Sequence, residues 1–132
     1  MLCLDSTFII DILRNNSKAK QKYDEIDKNS IFTTIINLYE LVSGVYAARD
    51  KNHEKHISIL NELLKNIPVL GLDLVSIEKA SQINGELSLK GKEVDDLDIL
   101  IAGIILSNAY NTILTKNVKH FSRIKELKVE SY

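Results

Sequence analysis

The chain predicts a layered α/β domain built on a mainly parallel sheet of four to five strands, and three observations carry that prediction. Short β-branched or apolar runs alternate along the chain with longer segments whose apolar residues recur at helical spacing. The single proline, Pro68, and the five glycines fall mostly between these segments, so no linker divides residues 1–132 and they read as one domain. At 132 residues and 45% hydrophobic, the chain is long enough to bury a core without staples.

Taken in order, Met1–Leu4 (MLCL) reads as the first strand, and Phe8, Ile9, Ile12 and Leu13 mark the apolar face of a first helix. A polar helix follows over Lys18–Lys28. Ser30–Ile35 is rich in β-branched residues and predicts a second strand. Leu38, Leu41, Val42 and Val45 then repeat at i, i+3, i+4 and i+7, the core stripe of a helix. His53–Lys65 is amphipathic through Ile57, Leu60 and Leu64, and Pro68–Leu72 is a short strand. Asp73 caps a helix that carries Ala80, Ile83 and Leu87 and ends at Gly91. Ile99–Leu106 is an almost wholly apolar helix. Asn111–Thr115 (NTILT) is a strand, Val118–Ile124 a short helix, and Leu127–Glu130 a final extended piece. Strands alternating with helices imply parallel crossovers.

Composition narrows the function classes. Charged residues make up 27% of the chain, which excludes disorder, and a net charge of −1 argues against a broad, sequence-blind nucleic-acid binder. No apolar stretch reaches the ~20 residues that span a bilayer, and the acidic start at Asp5 lacks the layout of a signal peptide. The lone Cys3 has no disulfide partner and reads as a buried small hydrophobe in a reducing, cytoplasmic protein.

The chemistry gathers at the strand-to-helix junctions. In a parallel sheet the carboxyl ends of the strands and the amino ends of the following helices face one crevice. Asp5 follows MLCL directly, Glu40 lies near the start of the helix after TTII, and Asp98 lies in the first turn of the apolar helix. Asn117 follows TILT. Each has a plain explanation when taken alone. Asp5 and Asn117 are acceptable caps, Asn37-x-x-Glu40 fits a capping box, and Asp95-x-x-Asp98 resembles one and complements the helix dipole. Together they ask for more. Neutral caps would serve equally well, yet three of the four positions carry carboxylates, whose mutual repulsion and desolvation are costly.

A bound divalent cation removes that objection, and oxygen ligands without a Cys/His set suit Mg²⁺ or Mn²⁺. Gly44 and Ala47 leave room beside Glu40. Such a site serves phosphoryl chemistry, and Lys90, Lys92, Lys116, Lys119 and Arg123 flank the rim as candidate phosphate contacts or as ordinary surface charge.

The stretches LDSTFIIDIL, INLYELVSG, DLDILIAGIIL and TILTKNVKHF, in this order and across the whole chain, resemble PIN-domain ribonucleases, in particular VapC-type toxins of toxin–antitoxin pairs. The resemblance implies a three-layer α/β/α sandwich and Mg²⁺- or Mn²⁺-dependent endonucleolytic cleavage of RNA. It places Asp5, Glu40 and Asp98 at the family's first three acids, as metal ligands. Asn117 falls where many members have a fourth acid. Its role becomes the orientation of water or of a neighbouring carboxylate, with Asp95 or Asp96 supplying charge. Ser6 and Thr115 become hydroxyl supports, and Lys116, Lys119 and Arg123 contacts for RNA. The resemblance also implies a homodimer and an antitoxin partner whose tail enters the acidic groove.

Alternative readings are a phosphatase or phospho-acceptor switch using Asp5, and a PIN fold that processes or binds RNA without a toxin role. The phosphatase reading lacks a second acid two residues after Asp5, the switch reading lacks the usual acidic pair and central phospho-acceptor, and three retained acids argue against a PIN fold that only binds. His53 and His56 read as exposed surface, His120 as a rim residue that touches substrate at most, Asp11 as an exposed helix residue, and Tyr39 and Tyr46 as packing or interface residues.

Overall fold

The computed structural model describes all 132 residues. Five strands form one sheet: β1 (Leu2–Leu4), β2 (Ile31–Thr34), β3 (Val69–Leu70), β4 (Thr112–Leu114) and β5 (Lys128–Glu130). They lie in the order β3-β2-β1-β4-β5, and every pairing is parallel. The expected four to five strands are five, with no antiparallel member.

Residues alternate across the sheet as the period of two demands. Leu2, Leu4, Ile31 and Leu114 face one apolar layer with Phe8, Ile9, Ala19, Leu41 and Leu60. That layer is supplied by α1 (Ser6–Leu13), α2 (Ser17–Glu25), α3 (Ile35–Ala47) and α4 (His53–Leu64). Cys3, Phe32 and Ile113 face the other layer, built by α5 (Leu74–Leu89), α6 (Asp96–Ser107) and α7 (Val118–Phe121). The result is the three-layer sandwich, with α3 reaching both layers through Ile36 and Leu41. Cys3 is fully buried in it, and burial pushes its thiol well above the ordinary range, with the Asp5 carboxylate adding to the shift.

The elements end where local chemistry ends them. Strand β2 stops at Thr34 because Thr34 Oγ1 accepts the Asn37 backbone N–H at 3.2 Å, while Asn37 Oδ1 accepts from Thr34 N at 3.3 Å. This Thr34-x-x-Asn37 box replaces the expected Asn37-x-x-Glu40 box, so α3 begins earlier and Glu40 sits in its second turn. Asp73 caps α5 as expected, in a box with Ser76. Beyond its other end Gly91 adopts φ +66, and Lys92 N donates to Leu87 O at 2.9 Å. That closure needs the left-handed conformation glycine adopts freely.

Helices α5 and α6 approach closely at Gly103. A Cβ there would stand 2.5 Å from the Ser76 carbonyl oxygen and 2.7 Å from Ala80 Cβ. Alanine is the better helix former by ~1 kcal/mol, but overpacking against backbone costs more. Gly103→Ala is therefore expected to destabilise the protein by about 1–3 kcal/mol in urea unfolding. Gly85→Ala, on the exposed face of α5 with open space around it, is expected to stabilise by up to ~1 kcal/mol.

Candidate active site

The carboxyl ends of β1, β2 and β4 and the amino ends of α1, α3, α6 and α7 meet at one rim. Asp5 occupies the N-cap position of α1, and its carbonyl accepts the Phe8 and Ile9 N–H groups, but its side chain makes no capping bond. The carboxylate turns instead into the rim, 3% exposed. Oδ1 accepts from Asn37 Nδ2 at 2.9 Å, and Oδ2 accepts from Thr115 Oγ1 at 2.6 Å and Thr7 Oγ1 at 3.0 Å. Each threonine hydroxyl in turn accepts a backbone N–H, from Asn117 and Lys116 respectively. A hydroxyl has one proton, so with both donated to Asp5 the 3.3 Å approach of the two hydroxyls is a contact only.

Asn37 is saturated. Its Oδ1 takes the Thr34 N–H and hydroxyl, which fixes the amide orientation and aims Nδ2 at Asp5 and at Ser6 Oγ. Ser6 passes its own proton to Glu40 Oε1 at 2.8 Å. Burial raises the Glu40 carboxyl above its usual range, the Ser6 bond partly offsets this, and the charges of Asp5 and Asp95 add to it.

Asp98 projects from the first turn of α6 and is buried. No hydrogen bond within the chain reaches its oxygens, and His120 Nδ1 stands 3.7 Å from Oδ2, an ion-pair distance. Desolvation, then the charges of Asp5, Glu40 and Asp95, push its carboxyl from 3.8 up to about 7. Asp95 caps α6 through Leu97 N and lends its charge to this field. Asp96 is exposed and is not among the charges acting on Asp98 or Glu40.

Asn117 holds the N-cap position of α7 without a side-chain capping bond, leaving its amide open at the rim. As they stand, no three of the chain's His, Cys, Asp and Glu side chains converge closely enough to hold an ion directly. Asp5, Glu40 and Asp98 are nonetheless near enough for each to act on another's proton affinity.

Asp11 is not an exposed helix residue: it is buried, paired with Lys116 and Tyr132. Arg123 donates to the Glu93 carbonyl, tying α7 to the segment before α6, while Lys119 remains exposed. His53 and His56 are half-buried rather than exposed, and His56 is engaged by Asp50 at 2.7 Å. Tyr39 and Tyr46 are largely exposed, with Tyr46 edge-on to His53. Thr7, Asn37 and His120 join the site beyond the residues read as its members, although Asn37, three residues after Thr34, carried a capping-box spacing.

A five-stranded parallel sheet between two helical layers, with carboxylates gathered at its carboxyl-end rim, makes this an α/β sandwich with an acidic candidate site. The PIN domain family model matches residues 2–127, and the chain belongs to that family. The chain is similar to Ribonuclease VapC2 of Rickettsia felis, 31% identical over 105 residues that span 79% of this chain and 75% of the relative. It is also similar to Ribonuclease VapC1 of Methanocaldococcus jannaschii, 28% identical over 131 residues covering 99% of this chain and 86% of the relative. In structure it superposes on a chain in the crystal structure of VapBC2 from Rickettsia felis bound to a DNA fragment from their promoter. The TM-score is 0.87 at 25% identity, covering 99% of this chain and 98% of that one.

Proposed function

We propose that the protein is a divalent-metal-dependent endoribonuclease and the toxin of a toxin–antitoxin pair, folded as one domain over residues 1–132. The observation that carries the reading is Asp98, a buried carboxyl acted on by the charges of Asp5 and Glu40 and approached by one basic side chain only, His120. The His120 side chain is 46% exposed, where such pairs are weak, and one imidazole cannot balance three carboxylates. Membership of the PIN family and similarity to two proteins named as VapC ribonucleases support cleavage of RNA.

The donor set fits Mg²⁺ or Mn²⁺. All candidate ligands are hard oxygens, and Mg²⁺ commonly keeps several waters while binding through one or two carboxylates, so the three acids need not all touch the ion. Asp5, Glu40 and Asp98 would hold it. When bound, the ion supplies neutralising charge and polarises the phosphodiester.

The rest belongs to the chain. Three donors lock Asp5, leaving one lone pair of Oδ1 aimed outward; Ser6 locks one oxygen of Glu40 and frees the other. Rigid helix α6 holds Asp98. Thr115 and Ser6 act as hydroxyl supports, and the open Asn117 amide orients water at the rim. Asp95, rather than Asp96, supplies the additional charge. Lys116 and Lys119 face incoming RNA, whereas Arg123 is engaged at Glu93.

The VapBC2 complex from Rickettsia felis supports an antitoxin partner for this chain as well. A second copy of the chain completes the proposed assembly. No helix is long and apolar enough to cross a membrane, and we place the protein in the cytoplasm.

The test is cleavage of RNA by the purified protein. Cleavage is expected with Mg²⁺ or Mn²⁺ and is expected to stop in EDTA. The same ion should raise thermal stability, by about 2.7 kcal/mol at one hundred times its dissociation constant. Cleavage that persists in EDTA removes the metal assignment.

A further inference from the structure

Asp11 and Tyr132 lie outside the acidic cluster, yet Tyr132 bonds Asp11 and Asp11 pairs with Lys116, which stands between the site residues Thr115 and Asn117. The Lys116 side chain is 60% exposed and that of Asp11 only 9%, with Nζ 2.7 Å from Asp11 Oδ2. The same oxygen accepts from the Tyr132 hydroxyl at 2.8 Å, and the Tyr132 ring meets Phe8 edge-on with centroids 4.8 Å apart. Lys116 is gripped a second time through its backbone N–H, which donates at 3.0 Å to Thr7 Oγ1, the hydroxyl that donates to Asp5. Helix α1 thus holds both the backbone and the ammonium of one residue.

This is unusual treatment for a surface lysine, whose flexible stem carries about 2 kcal/mol of rotamer entropy. The Lys116 hydrogen bond holds the Asp11 carboxyl below its usual range against the opposing effect of burial, and Tyr132 adds to it. Burial and Asp11 push the Tyr132 hydroxyl up, which keeps it a donor. An ammonium has three N–H groups, and Asp11 is its sole acceptor in the chain, so two remain for a ligand. The carboxylates of Asp5, Glu40, Asp95 and Asp98 gather at the candidate site and repel a phosphodiester.

Building on the ribonuclease reading above, we infer that Asp11, backed by Tyr132, is a positioning residue that fixes Lys116 as the phosphate-binding cation at the edge of the acidic site. Bare charge gives the opposite expectation. Removing Asp11 takes an anion from the path of a polyanion and should tighten RNA binding, whereas loss of positioning should weaken it.

The experiment measures KM and kcat for a short RNA across a range of salt, with binding of the same RNA in EDTA alongside. The proteins are wild type, Asp11→Leu, Tyr132→Phe, Lys116→Met and the double variant Asp11→Leu/Lys116→Met, each checked for folding by thermal unfolding. Asp11→Leu and Lys116→Met are each expected to raise KM about 3–10-fold with kcat within about twofold, and to lower the salt slope by up to about one. The double variant is expected to be no worse than Lys116→Met alone, because both remove one contact. Tyr132→Phe, which keeps the ring on Phe8, is expected to raise KM less and carries the test if Asp11→Leu does not fold. An unchanged or lowered KM in Asp11→Leu, or additive effects in the double variant, overturns the inference alone. A wild-type protein that neither cleaves nor binds RNA overturns the ribonuclease reading and this inference with it.

Discussion

Asp98→Asn is expected to lower RNA cleavage by at least about 10²-fold while making the metal-free protein more stable. The two effects share one cause. The Asp98 carboxyl, at 3.8 ordinarily, is pushed to about 7 by burial and by the charges of Asp5, Glu40 and Asp95. Below pH 3.8 it is protonated in folded and unfolded chains alike, and the stability associated with holding that proton is fully present. As pH rises toward 7, the unfolded chain has already released the proton that the folded chain retains. Stability is therefore lost across this window, by an amount on the order of 2–4 kcal/mol for this group. Glu40 is shifted in the same direction and adds to the slope. Asparagine titrates nothing, so the variant's advantage in urea unfolding should be near zero at the acid end and greatest above pH 7. Saturating Mg²⁺ should shrink that advantage by stabilising the wild type and not the variant. A variant no more stable than wild type at pH 8 would show that Asp98 is not the strained group.

Asn37→Ala has the second large effect, on both folding and activity. It strips the Thr34 N–H and hydroxyl of their acceptor and Asp5 Oδ1 of its donor, all of them buried. The loss of a cap and of a partner for a buried carboxylate should cost about 2–4 kcal/mol in urea unfolding. Cleavage should fall about tenfold or more, because Asp5 is no longer aimed. Asn37→Asp separates these roles. It keeps the acceptor that caps α3 but presents a carboxylate to Asp5 in place of an amide. Activity should therefore fall as far as in Asn37→Ala, while the measured helix content of the folded protein is retained.

The outline of the fold was legible because its causes are local. The short apolar and β-branched runs MLCL and TILT and the helical stripe of α3 are written in neighbouring residues, and the two faces of β1, β2 and β4 lead into the two cores. The positions of Asp5 and Glu40 were legible because the turn from strand to helix fixes where they emerge; Asp98, expected at such a junction, instead follows helix α5 and reaches the rim on the first turn of α6. What escaped the sequence was decided by pairing across long separations. Whether Asp11 faces water or protein depends on Tyr132, 121 residues away. Asn37 passed for a cap because its tie to Asp5 spans 32 residues, and the strand before it ends earlier than its β-branched run. The choice between Asp95 and Asp96 likewise rests on which of two adjacent residues the helix turns toward Glu40.

The placement of β1 between β2 and β4 also has a consequence for the order in which the protein comes into being. Asp5 is made before the partner of its shortest hydrogen bond, Thr115, which lies 110 positions later. At the usual pace of translation, 5–20 residues per second, that interval lasts roughly 5–20 s. Until it ends, β1 has no β4 to pair with, and Asp5 lacks the donor of its shortest hydrogen bond. A growing chain therefore carries its first acid without a working centre, and non-local pairing of this kind is also the slow part of folding. The candidate site therefore waits on Thr115, however early its first acid is made.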